Sequence, residues 1–195
     1  MRVAKSLMTC GLLLGGLMSS FAVIAEPAVS GDATTVAPIA AVWVPHEVSF
    51  SYMGFTSYYS CDGLESKLKM LLTASGARSD LKVIATCSDV SGGPSRLSSA
   101  RLSFATLALQ APADSKDVPV PALAEWRTVS LHDRTPAGLT SGDCELVEQF
   151  AHELLPLFTV RDQVNQMSCI PHQVSIAGIR LQYSVLAPIP EPKAR

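Results

Sequence analysis

The chain has 195 residues, 48% of them hydrophobic and 16% charged, with a formal net charge of −2. That length carries one domain with a packed core. The charge is near balance and becomes −4 once Arg2 and Lys5 leave with a leader, which argues against nucleic acid or an anionic membrane as partner.

Residues 1–25 read as a secretory signal peptide. Arg2 and Lys5 supply the positive start, Leu7 to Met18 the short apolar run, and Val23-Ile24-Ala25 a small-residue cleavage site. The run is too short for a comfortable membrane span, so stable membrane insertion is not expected. Cleavage near Ala25 removes Cys10 and leaves four cysteines, and an even count in an exported chain implies disulfides. The expected compartment is the periplasm or the extracellular space.

Residues 26–42 lack a usable period and read as a flexible lead-in. A strand follows, with Val48, Phe50 and Tyr52 on one face. The connection from Gly54 to Ser60 carries three exposed-looking aromatics, Phe55, Tyr58 and Tyr59. A helix begins near Asp62, with Asp62 and Glu65 spaced as a capping box. Leu64, Leu68, Leu71 and Leu72 form its apolar stripe, and Gly76 stops it. Leu81 to Cys87 is a strand, Gly92-Gly93-Pro94 a turn, and Ser98 to Gln110 a longer strand with a phase change near Thr106.

A Pro-rich linker spans 111–125. Trp126 to Leu131 is then a strand and 136–142 a loop. A helix over 143–157 follows, ended or kinked by Pro156. Asp162 to Cys169 is a strand. The last strand runs from Gln173 to Leu186, with a bulge at Ala177-Gly178. The tail over 187–195 is a Pro-x-Pro extension.

The two halves match. Cys61 and Cys87 are 26 apart, Cys144 and Cys169 are 25 apart, and Trp43 and Trp126 each stand 18 residues before their cysteine. Glu65 falls on Glu148, Leu71-Leu72 on Leu154-Leu155, Asp80 on Asp162, and Arg101-Leu102-Ser103-Phe104 on Arg180-Leu181-Gln182-Tyr183. This pattern points to a duplicated β-α-β-β unit. The expected fold is α+β, with two helices packed on a mainly antiparallel sheet. It forms a single pseudo-symmetric domain over 43–186, with one copy at about 43–110 and the other at about 126–186. Four cysteines allow three connectivities, and the repeat selects Cys61–Cys87 and Cys144–Cys169. Without a Cys-x-x-Cys, structural bridges are expected rather than redox chemistry.

The aromatic loop Phe55, Tyr58 and Tyr59 is the favoured binding surface, because Tyr and Phe bring large contact area at low entropic cost. Arg101 and Arg180 should point off the outer face of the sheet, where an anion or a carboxylate can meet them. Two alternatives have less behind them. His132 with Asp133, and Ser130 or Ser141, compose the parts of a hydrolytic site, but no nucleophile elbow accompanies them. His46 and His172 share the setting Pro-His-x-Val-Ser and would bind Zn or Cu if their strands were neighbours, but no further ligand is spaced with them. The expected function is therefore that of an exported, non-enzymatic module without a cofactor, binding a periplasmic protein or another envelope component.

Overall fold

The computed structural model describes residues 37–87, 93–113, 118–174 and 178–189. The expected signal peptide, most of the expected lead-in, Gly92, Ala177 and the tail from Pro190 lie outside them. Six strands and two α-helices follow in the order β1 Ile39–Met53, α1 Cys61–Ala74, β2 Lys82–Cys87, β3 Leu97–Ala108, β4 Val120–His132, α2 Cys144–Glu153, β5 Val160–Asn165 and β6 Arg180–Pro188. Every strand pairing is antiparallel, and the sheet order is β2-β3-β1-β4-β6-β5. The fold is α+β.

β1 and β4 join the two halves of the sheet over a short stretch, Ile39–Trp43 against Val120–Ala124. Beyond it β1 continues with β3 and β4 with β6. The pairing ends at Trp43–Val120 because β4 begins there; Val118 and Pro119, before it, are not strand. The sheet thus begins four residues before the expected domain start, inside the segment read as lead-in. Val120 to Glu125, read as linker, belongs to β4.

One core lies between the helices and the inner face of the sheet. Phe50, Tyr52, Leu102 and Phe104 come from the first half and Val129, Leu131, Leu181 and Tyr183 from the second. Leu64, Leu68, Leu71 and Leu72 of α1 join Leu146, Val147 and Phe150 of α2 beneath them. A second apolar cluster of Ala41, Leu107, Ala124 and Leu186 covers the other face at the junction, packed by Trp43 and Trp126. It accounts for the phase change near Thr106. The register from Val42–Ala108 to Met53–Leu97 is unbroken, so β3 does not slip; both its faces are buried there.

The helix ends reach across the junction. Tyr183 of β6 donates its O–H to Ser75 Oγ (2.6 Å), since the Ser75 hydroxyl hydrogen is occupied by the Leu71 carbonyl. In the other direction Phe158 stacks on Phe104 of β3 at 5.8 Å. Gly76 takes φ +90 at the end of α1 and lies against Ala187, which is the stop expected of it.

Several boundaries differ from those expected. Ser60, not Asp62, caps α1, and its hydroxyl accepts from the Gly63 N–H. Glu65 instead reaches the open edge of β2 and accepts the Ala85 N–H at 2.9 Å. α2 ends at Glu153, and a 3₁₀ turn carrying Pro156 follows. β5 is Val160–Asn165 and β6 starts at Arg180, so Gln166 to Val174 is loop rather than strand. The two bridges are Cys61–Cys87 and Cys144–Cys169, the expected pairing.

Candidate functional site: the aromatic loop and its clamp

The loop after β1 is held by the N-terminal end of α2, from the opposite half of the chain. Gln149 extends the edge of β1 with its side chain. Its Oε1 accepts the Met53 N–H (3.1 Å) and its Nε2 donates to the Met53 carbonyl (2.8 Å), imitating a strand partner. One turn earlier, Glu145 Oε2 accepts the N–H groups of Phe55 (2.8 Å) and Thr56 (2.9 Å), while Oε1 accepts the Thr56 hydroxyl (3.0 Å). Positions i and i+4 lie on one helical face, so both side chains meet one stretch of backbone. Ser57 then donates to the Gly142 carbonyl at 2.6 Å.

The loop closes on itself at Gly54. A Cβ there would collide with the Ser57 carbonyl and the Tyr52 hydroxyl, which are hydrogen-bonded to each other at 2.8 Å. Only glycine admits that approach.

Beneath the loop lies a charged network. Tyr59 O–H donates to Asp143 Oδ1. Asp143 Oδ2 accepts Lys67 Nζ at 2.6 Å, the Thr140 N–H at 2.6 Å and the Thr140 hydroxyl at 2.8 Å. Lys67 also donates to the Gly138 carbonyl. Asp143 is 3% exposed, and these four donors satisfy its buried oxygens. Burial, with the Asp143 hydrogen bond added, pushes the Tyr59 phenol far above its usual range.

The three aromatics therefore part company. Tyr59 is 8% exposed and packs edge-on against Tyr52 at 5.0 Å, so it is a core residue and not part of any surface. Sequence hydropathy alone does not separate it from Tyr58. Phe55 and Tyr58 are 38% and 48% exposed. Arg96 lies over the Phe55 ring at 5.5 Å and His172 meets its edge at 5.7 Å. Met53 and Leu97, opposite one another in the sheet, continue the apolar surface beside them. Arg96, Glu145 and Gln149 carry no sequence signal that singles them out. Glu145 looks like any first-turn acid, and its partners lie about ninety residues away.

The remaining candidates fall elsewhere. Arg101 and Arg180 are exposed on β3 and β6, and among the described residues no hydrogen bond or ion pair joins them to the aromatic loop. His46 is half-buried on β1, against Phe104 at 5.3 Å, and burial lowers its pKa. The Thr106 hydroxyl donates to the Leu157 carbonyl, so His46 Nε2 is the donor in the 2.8 Å contact with Thr106. His172 sits on the β5–β6 loop against Phe55, and β1 neighbours β3 and β4, not β6. The condition for a paired-histidine metal site, neighbouring strands, is not met. His132 Nδ1 faces the Asp133 carbonyl at 3.1 Å, and Ser141 donates to the Asp133 carboxylate at 2.9 Å rather than to His132.

Among the described residues no helix is long and apolar enough to cross a membrane. The two disulfides fit an oxidising compartment. Comparison with protein-family models, with curated proteins and with solved structures gives no match.

Proposed function

We propose that this protein is an exported, non-enzymatic binding module that works in the periplasm or outside the cell, released from its leader near Ala25. Its contact surface is the loop carrying Phe55 and Tyr58, with Arg96, Met53 and Leu97 at its margin, and its partner is a protein or other component of the envelope. The observation that carries this is the clamp. Half-exposed aromatic rings are held on a backbone fixed by Glu145 and Gln149. A surface ordered before contact loses little entropy on binding. Aromatic, Met and Arg side chains are also the types enriched at protein interfaces.

The same reading takes the fold as a duplicated β-α-β-β unit in which one loop was adapted for contact. Its support is pairwise. Trp43 stands opposite Leu107 and Trp126 opposite Leu186. Arg78 lies over Trp43 and pairs with Asp80; Arg161 lies over Trp126 and pairs with Asp162. The loop after β4, which corresponds to the aromatic loop, is held by Lys67 of α1 and carries no aromatic residue. The test is crosslinking and capture of the mature, tagged protein from the envelope fraction, beside a Phe55→Ser/Tyr58→Ser variant. A partner captured by the wild type and lost with the variant supports the reading; capture unchanged by the variant contradicts it.

A further inference from the structure

β1 is paired along most of one side and only at its start on the other. β3 runs beside it from Val42 to Met53, while β4 pairs with it only as far as Trp43. The Gly54 N–H donates toward β3, to the Arg96 carbonyl at 3.0 Å, and Met53 gives its N–H and C=O to Gln149 on the opposite side. Backbone groups alternate sides along a strand, so those of Ser51, Ser49 and Glu47 point the same way as those of Met53. Among the described residues no hydrogen bond reaches the N–H or C=O of these three. α2 does not take the place of a partner strand. Beyond Gln149 its chain passes under the sheet, where the Leu157 carbonyl accepts the Thr106 hydroxyl and Phe158 stacks on Phe104.

Open backbone of this kind is guarded at the outer edges of the sheet. At β2 the Glu65 carboxylate accepts the Ala85 N–H, and at β5 a bulge with Asp162 at φ +54 breaks the register. At β1 Met53 alone is guarded, by a side-chain amide that makes the two bonds of a partner strand. The stretch before it, 47–51, has the bond pattern for one more short strand. Glu47, Ser49 and Ser51 are exposed along it. Glu47 belongs to no ion pair among the described residues, and Lys82 lies two strands away, beyond Ser103. A cation opposite Glu47 and threonines opposite the two serines therefore complement this row. β4 has a matching open stretch at 126–130, but counted from the two tryptophans Ser130 stands in the place of Glu47 and offers no carboxylate.

We propose that residues 47–51 form a docking edge, which takes an extended segment of another protein as an added antiparallel strand. The segment has the pattern Thr-x-Thr-x-Lys, with the Lys opposite Glu47 and each x turned, like Val48 and Phe50, to the inner face. Backbone bonds give the affinity and the Glu47 pair the register. The edge uses none of the rings of the aromatic loop, so the two readings stand or fall separately.

The experiment titrates the mature, isotope-labelled protein with the end-blocked peptide Thr-Val-Thr-Val-Lys and follows its backbone amides by NMR. Beside it run the same peptide N-methylated at both threonines and the peptide with Glu in place of Lys. Binding with shifts centred on the amides of Glu47, Ser49 and Ser51 is expected. N-methylation removes two donors aimed at β1 and should weaken binding by at least about tenfold. Glu in place of Lys should weaken it severalfold, and Glu47→Lys should reverse that preference. Phe55→Ser/Tyr58→Ser should bind the peptide as the wild type does, which keeps a failure of the edge apart from a failure of the aromatic loop. The proposal is overturned by no binding, by shifts centred elsewhere, by binding indifferent to N-methylation, by an unreversed preference in Glu47→Lys, or by loss of binding in the Phe55/Tyr58 variant. Shifts at the same three amides on raising the protein concentration alone would mean that a second copy takes the edge, and also overturn it.

Discussion

Glu145, on the first turn of α2, accepts the backbone N–H of Phe55 at 2.8 Å across ninety residues of chain. One buried carboxylate thereby fixes the loop that presents Phe55 and Tyr58, and it does so from the other half of the molecule.

Removing that carboxylate should loosen the loop. Glu145→Ala leaves two N–H groups and one hydroxyl without their acceptor, at a cost of about 3 kcal/mol, and Glu145→Gln, which keeps one oxygen, costs about half that. Urea unfolding measures the loss, and hydrogen exchange at Phe55 and Thr56 locates it. Unchanged stability with both amides still protected would contradict the clamp.

The Lys67–Asp143 pair has unequal partners, with side chains 22% and 4% exposed. Asp143→Ala leaves the Tyr59 phenol and the Thr140 N–H and hydroxyl without their acceptor, and leaves Lys67 only the Gly138 carbonyl, and should cost about 3 kcal/mol. Lys67→Ala should cost less, because Asp143 keeps Tyr59 and Thr140 as donors. Equal losses in chemical denaturation would mean that Tyr59 and Thr140 do not support the carboxylate.

Each bridge closes a loop of about 26 residues, worth about 3.5 kcal/mol in the chain-entropy model. Cys61→Ser/Cys87→Ser and Cys144→Ser/Cys169→Ser should each lower stability by about that amount, and full reduction by more than either. Non-reducing peptide mapping checks the pairing itself, and a Cys61–Cys144 peptide would refute it.

Stability should fall on both sides of neutrality. Burial pushes Tyr183 up to about 12, and burial raises Tyr59 and Tyr52 further. Above pH ~10 the unfolded chain releases these protons while the folded one keeps them, so stability present below ~10 is lost as pH rises, by about 1.4 kcal/mol per pH unit for each tyrosine. His46 acts in the opposite direction. Its folded pKa lies below the ordinary 6.5, so the unfolded chain takes the proton first and stability declines as pH drops through 6.5. Melting temperature against pH tests both limbs. His46→Gln should flatten the acid limb and Tyr183→Phe the alkaline one.

The parts of the fold set by local chemistry were legible in the sequence. The leucine stripe of α1, the stop at Gly76 and the break at Pro156 follow from spacing and residue type, and the pairing of the bridges from the match between the two halves of the sequence. What escaped depends on contacts between distant residues. Ile39 to Val42 is a strand because Pro121 to Ala124 lies beside it, about eighty residues on. Tyr59 differs from Tyr58 because Asp143 lies beneath it. Glu65 sits in a first-turn position that suggests capping, yet its partner is the edge of β2.

The central claim is that Phe55 and Tyr58 meet a partner in the envelope, and site-specific photocrosslinking tests it most directly. A photoreactive phenylalanine analogue replaces Tyr58 in one variant and Glu153, on the exposed end of α2, in another. The predicted result is one discrete adduct from position 58, absent from position 153 and lost when Phe55→Ser is added. No adduct from position 58, or the same adduct from both positions, would contradict the claim.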